Sequence, residues 1–136
     1  GRNLSMRGIE MRIAKTFFRW GQGYSNVKTS GIYLHMEKFK VQNGNDRYFD
    51  TPSCYLSIHP PNKTHTNWKI HFNTSQGGRV HVWKRQNDKF HFKEENALNQ
   101  DCDYYCFWQT MHICAYLIYD DELERKADDM LNARGF

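Results

Sequence analysis

Three short stretches near the middle of the chain alternate apolar and polar residues. They are Trp68-Lys69-Ile70-His71-Phe72-Asn73-Thr74, Val80-His81-Val82-Trp83-Lys84-Arg85-Gln86 and Lys89-Phe90-His91-Phe92-Lys93-Glu94. A period of two is that of a half-buried β-strand. Gly77-Gly78 and Asn87-Asp88 separate the three stretches, and both dipeptides suit the positive-φ positions of two-residue hairpin turns. A three-stranded antiparallel meander is expected, with Lys84 opposite both His71 and His91, and Trp83 opposite Phe72 and Phe92. That register assigns every side chain to a face. Trp68, Ile70, Phe72, His81, Trp83 and Phe92 go to the core side, with Phe90, Arg85 and Glu94. Lys69, His71, Asn73, Val80, Val82, Lys84, Gln86, Lys89, His91 and Lys93 go to the other side, which then carries no acid.

Upstream, Ile9, Met11, Ile13 and Phe17 share one parity, so Ile9 to Trp20 is expected to be a strand. The segment from Gly21 to Gly31 reads as a glycine-rich loop. Ile32 to Gln42 reads as one strand ended by the turn-prone Asn43-Gly44-Asn45-Asp46, and Cys54 to His59 as another. Pro60 and Pro61 cannot donate to a ladder, so Pro60 to Asn67 is expected to be a connecting loop. After Glu94 the period changes. Ala97 to Arg134 reads as helical, apolar on nearly every side from Cys102 to Tyr119, with a new start at Asp120-Asp121 and a stop at Gly135. Strands first and helices last predict an α+β fold: an antiparallel sheet of about six strands over residues 9–94, packed on one face by C-terminal helices over residues 97–134. One domain over residues 1–136 is expected, with residues 1–5 a cloning remnant or disordered.

Charge changes this picture more than composition does. The chain of 136 residues has a formal net charge of +4. Residues 1–93 carry 16 Lys+Arg and 5 Asp+Glu, or +11, whereas residues 94–136 carry 3 and 10, or −7. Such a division points to contact between the basic part and a polyanion. Apolar residues at 39% and aromatics at 15% exclude a disordered chain and a membrane protein. Cys54, Cys102, Cys106 and Cys114 lack the spacing of a zinc knuckle, and reduced thiols packing as small apolar groups are expected. A cytoplasmic or intracellular setting follows from that reading.

The acid-free sheet face is the leading candidate site. Lysines on adjacent strands repeat at roughly 5 Å, close to the spacing of phosphates along a nucleic-acid strand. Lys69, Lys84, Lys89 and Lys93 are expected to neutralise phosphate, and His71, His91, Asn73 and Gln86 to make short-range contacts. Rings for base stacking are missing from that face, so they are assigned to loops: Trp20 and Tyr24 beside Arg19 and Lys28, and Tyr48 beside Arg47. The partner expected is RNA or single-stranded DNA.

A metal site at the regularly spaced His71, His81 and His91 is not expected, because the register puts Lys84 between two of them and turns His81 to the other face. No cofactor is expected. No phosphate-binding glycine loop, nucleophile elbow or kinase signature is present, so a standard enzyme class has no support. Two other readings stay open. One is a small viral or mobile-element inhibitor that binds a host protein. The other is a phosphodiesterase using His59 and His65 as acid and base, with Lys63 holding the phosphate. A dimer is compatible with all of them.

Overall fold

The computed structural model describes residues 23–28, 31–43 and 47–136. Among the described residues eight strands, β1 (Gly23–Lys28), β2 (Gly31–Met36), β3 (Lys40–Asn43), β4 (Arg47–Asp50), β5 (Cys54–His59), β6 (Trp68–Thr74), β7 (Arg79–Lys84) and β8 (His91–Asn96), precede two helices, α1 (Asp101–Ile118) and α2 (Asp121–Ala133). The large sheet is antiparallel in the order β1-β2-β5-β6-β7-β8, and β3 and β4 form a separate hairpin. The fold is α+β, with both helices stacked on one side of the sheet. None of the described helices is long and apolar enough to cross a membrane.

Alternation explains why the sheet buries one face. Ile32, Leu34, Met36, Leu56, Ile58, Ile70, Phe72, Val80 and Val82 all point inward and are buried. Helix α1 covers them, setting the Phe107 ring edge-on to Phe72 at 5.2 Å and to Phe92 at 6.3 Å. Edge-to-face pairs of this kind favour contact between the positive ring edge and the negative ring face. Cys54, Cys106 and Cys114 are buried in the same core, and burial pushes the Cys114 thiol up to about 12. All four cysteines are free thiols.

Helix α2 folds back on α1 through Leu123, Ala127 and Leu131. The reversal is tight because Tyr119 takes a left-handed conformation at φ 58°, and the Asp120 N–H then donates to the Ala115 carbonyl at 3.0 Å. Asp120 caps the new helix, its carboxylate accepting from the Leu123 N–H at 2.9 Å. The Tyr104 hydroxyl donates to the Met130 carbonyl at 2.7 Å, and Gly135 in a positive-φ conformation ends the helix.

Several expectations need correction. The expected strand from Ile9 to Trp20 lies outside the described residues. The glycine-rich stretch after it is not a loop, since β1 runs through Gly23–Lys28 and pairs with β2 along its full length. The expected strand Ile32 to Gln42 is two strands in two sheets, broken at Glu37-Lys38-Phe39. There Phe39 exchanges hydrogen bonds with Thr51, its N–H reaching Thr51 Oγ1 at 2.9 Å while its carbonyl accepts from the Thr51 N–H at 2.8 Å. Helix α1 begins at Asp101, with Gln100 in the cap position, rather than at Ala97.

The meander has a different register from the expected one. Thr74 and Gly78 close a three-residue loop, Ser75-Gln76-Gly77, in which the Thr74 N–H donates to the Gly78 carbonyl at 2.9 Å and Gly77 takes φ 92°. His71 therefore pairs with His81, and Phe72 with Val80. The connection from β7 to β8 is also longer than two residues: Asn87 is left-handed at φ 61°, the strand begins at His91 rather than Lys89, and Trp83 pairs with His91. Each register is offset by an odd number of residues, which exchanges the faces of β7. Val80 and Val82 point inward, and His81 and Trp83 point outward.

Candidate functional site: the open face of the large sheet

The sheet face opposite the helices is half-buried to exposed at most positions and closes over only at His35, which is buried. Three cross-strand rows make it up. Tyr33, Ser57, His71, His81 and Lys93 form the central row; His59, Lys69, Trp83 and His91 lie on one side of it; His35, Tyr55, Asn73 and Arg79 lie on the other. Neighbours within a row stand about 5 Å apart at Cβ.

Rings link these rows. His71 and His81 meet edge to face at 4.5 Å, His59 meets His71 at 6.2 Å and Tyr33 at 5.6 Å, and His35 meets Tyr55 at 4.5 Å. Trp83 stacks nearly parallel on His91, with 22° between planes and 5.5 Å between centroids. Gly31 begins β2 beside His59, where a Cβ would come within 2.6 Å of the imidazole. Any larger residue there displaces the first ring of the series.

Exposed cations frame the rings. Lys69, Arg79 and Lys93 are all exposed, and Tyr55 is 50% exposed between Asn73 and His35. Arg79 Nε donates to Asn73 Oδ1 at 3.0 Å, and its guanidinium lies 3.5 Å from Glu95. Glu95 in turn faces His81 Nε2 at 2.7 Å. At the rim, His91 Nε2 meets Asp88 at 3.0 Å and His35 Nε2 meets Glu37 at 2.7 Å. Burial, and the neighbouring His81, His59 and Lys69, hold His71 below the ordinary imidazole range, against a smaller opposing effect of Glu95.

Of the expected contact residues, Lys69, His71, Asn73, His91 and Lys93 do share this face. Lys84 does not, because it pairs with Trp68 at the inner edge and donates from Nζ to Asp120 at 2.5 Å. Gln86 and Lys89 lie exposed in the β7–β8 connection, outside the strands. Lys89 borders a groove of about 450 Å³ between that connection and α2, lined also by Phe90, Phe92, Leu123, Arg125 and Lys126. The face is not free of acid, since Glu95 stands within it. Nor does it lack rings, because the exchanged faces of β7 bring Trp83 and His81 out. The signal was present in Val80 and Val82: two β-branched aliphatics at alternate positions are the ordinary core side of a strand.

The remaining candidates scatter. Arg19 and Trp20 lie outside the described residues, and of Tyr24, Lys28 and Arg47 only the strand positions are described. Tyr48 is exposed on the small hairpin, its ring 5.7 Å from Lys40 Nζ. His59 lies on the open face against His71, whereas His65 and Lys63 are exposed in the loop before β6, where the Asn62 side chain accepts from the Thr64 and His65 N–H groups at 2.8 Å. The argument against a histidine cluster also changes, since His71 and His81 are directly paired and Lys84 is remote from both. No group of three or more His, Cys, Asp or Glu among the described residues is arranged to hold a metal ion. Comparison with protein-family models, curated proteins and solved structures finds no match to this chain.

Proposed function

We propose that the open sheet face binds single-stranded nucleic acid, with bases stacked on its rings and phosphates neutralised by its cations. The observation that carries this reading is the interleaving of Tyr55 and Trp83 with the exposed Lys69, Arg79 and Lys93 on one antiparallel sheet face. A base presents a flat π-face whatever its sequence, and stacking on an aromatic side chain contributes about 1–3 kcal/mol per base. A sheet supplies several such platforms at strand spacing, as single-stranded RNA recognition requires. Asn73 and Ser57 offer polar groups between the platforms.

The test is fluorescence anisotropy with a labelled, unstructured RNA or DNA oligonucleotide at a series of salt concentrations. Three phosphate contacts to a single strand predict a slope of log K against log salt near about −2. Lys69→Met or Lys93→Met lowers that slope by about 0.7 each, and Trp83→Ala weakens binding by about tenfold at any salt. Absence of binding at low salt, or an affinity indifferent to all three substitutions, overturns the reading.

A further inference from the structure

His71 and His81 sit at the centre of the proposed nucleic-acid face, on adjacent strands, as a directly opposed pair. Their rings are perpendicular within about ten degrees and 4.5 Å apart. Each has a different environment. His81 Nε2 faces the Glu95 carboxylate at 2.7 Å, and Glu95 is itself held by Arg79 at 3.5 Å. His71 stands between the rings of His59 and His81, with Glu95 acting on it only as the weakest of its charged neighbours. Lys93 is the cross-strand neighbour of His81 on its other side, and Lys69 lies on the strand of His71 two positions away.

Two imidazoles with unlike surroundings, a carboxylate behind one of them, and lysines beside both are the groups needed to cleave a phosphodiester that carries its own nucleophile. We propose that this pair cleaves RNA by internal transfer, His71 acting as general base and His81, backed by Glu95, as general acid. The inference rests on the nucleic-acid reading of the same face. A ring nitrogen of His71 takes the proton of a ribose 2′-hydroxyl, whose oxygen forms a bond to the adjacent phosphorus. The bond from phosphorus to the 5′-oxygen breaks, and His81 gives its proton to that oxygen. The products are a 2′,3′-cyclic phosphate and a free 5′-hydroxyl, with the phosphodiester charge unchanged.

The environments of the two rings fit these roles. Burial and the surrounding cationic and imidazole groups keep His71 unprotonated near neutral pH, as a base must be. The Glu95 carboxylate, 2.7 Å from His81 Nε2, places a negative charge beside the ring assigned as proton donor. Pairs of titratable groups placed in unlike environments are the usual basis of an acid–base assignment. DNA lacks the 2′-hydroxyl and is expected to bind without being cut.

The experiment incubates the full chain, in excess, with a labelled RNA oligonucleotide and with DNA of the same sequence, and follows both bound fraction and products. Expected are RNA fragments whose mass shows a 2′,3′-cyclic phosphate, intact DNA, and no cut at a linkage where one ribose is replaced by deoxyribose. His71→Gln and His81→Gln lower the single-turnover rate about 100-fold or more while melting like the parent protein. Should either variant fail to fold, partial recovery of His71→Ala by added free imidazole provides the second measurement. RNA that is bound but stays intact overturns the cleavage and leaves the binding reading standing. Cutting that persists equally in both variants also overturns the cleavage, and RNA neither bound nor cut overturns both.

Discussion

Lys84 separates the two registers of the β6–β7 hairpin more sharply than any other side chain. With two-residue turns it lies among the lysines of the ligand face; in the observed register its Nζ donates to Asp120 at 2.5 Å. The Asp120 side chain is 10% exposed and that of Lys84 25%, so solvent screens this pair less than an ordinary surface ion pair. Hydrogen bonds to charged groups contribute about 1.5–3 kcal/mol, and Lys84→Met leaves a mostly buried carboxylate with its cap bond alone, for a loss of about 2 kcal/mol. Unfolding entropy of about 2.1 cal/mol/K per residue amounts to about 0.29 kcal/mol/K for 136 residues, which converts that loss into a Tm lowered by about 7 °C. Asp120→Asn keeps an acceptor for the Leu123 N–H, so a double-mutant cycle with Lys84→Met isolates the pair, with an expected coupling of about 1–2 kcal/mol. Thermal melts followed by circular dichroism give the stability, and anisotropy with the same oligonucleotide gives affinity, which should not change. An unaltered Tm together with a tenfold weaker complex would place Lys84 on the ligand face and refute the register.

Two further expectations concern the hairpin and the histidine row. Gly77→Ala should destabilise the protein by about 1–2 kcal/mol in denaturant titration purely through its backbone, because φ is 92° and the added Cβ meets nothing within 4 Å; an unchanged midpoint would show that the loop does not need that conformation. His71 is held below the ordinary value of 6.5, chiefly by burial, so its folded state resists a proton that the unfolded chain accepts. Stability is then unaffected by this group at higher pH and falls as pH drops through about 6.5. Replacing His71 by Gln should flatten the stability profile measured between about pH 7.5 and 5.5, and an unaltered slope would remove the group from that dependence.

Much of the fold was legible because local pattern decided it. Cys54 to His59 and Trp68 to Thr74 alternate cleanly and are strands, and Asp120 marks the start of α2 because its side chain suits a cap. The Pro60 to Asn67 connection was likewise legible from residues that cannot join a ladder. Register was not legible, because it depends on loop length, and Ser75-Gln76-Gly77 and Gly77-Gly78 are equally good turn sequences. An odd offset was enough to exchange Val80 and Val82 with His81 and Trp83. Half the lysines expected at the site survived because β6 and the first half of β8 kept their parity, before the irregularity opposite Arg79 and Val80. The rings were assigned to loops although Trp83 and Tyr55 were on the sheet all along. Strand β1 was hidden by glycines, which in this case begin and border the strand rather than interrupt it.

The layering of sheet and helices also gives the charge division of the chain a direction in space. The C-terminal 43 residues, with 10 acids against 3 Lys+Arg, form the last stretch of the edge strand and the two helices behind the sheet, while Lys69, Arg79 and Lys93 project from its front. Among the described residues charge is thereby divided across the sheet, with these cations in front and most of the acids of the C-terminal stretch behind. A polyanion diffusing toward the protein feels a torque before any contact forms, turning the sheet front toward the charge and the helices away. Encounters are thereby pre-sorted by orientation at low ionic strength, and salt should slow the association of a long anionic chain more than it hastens its release.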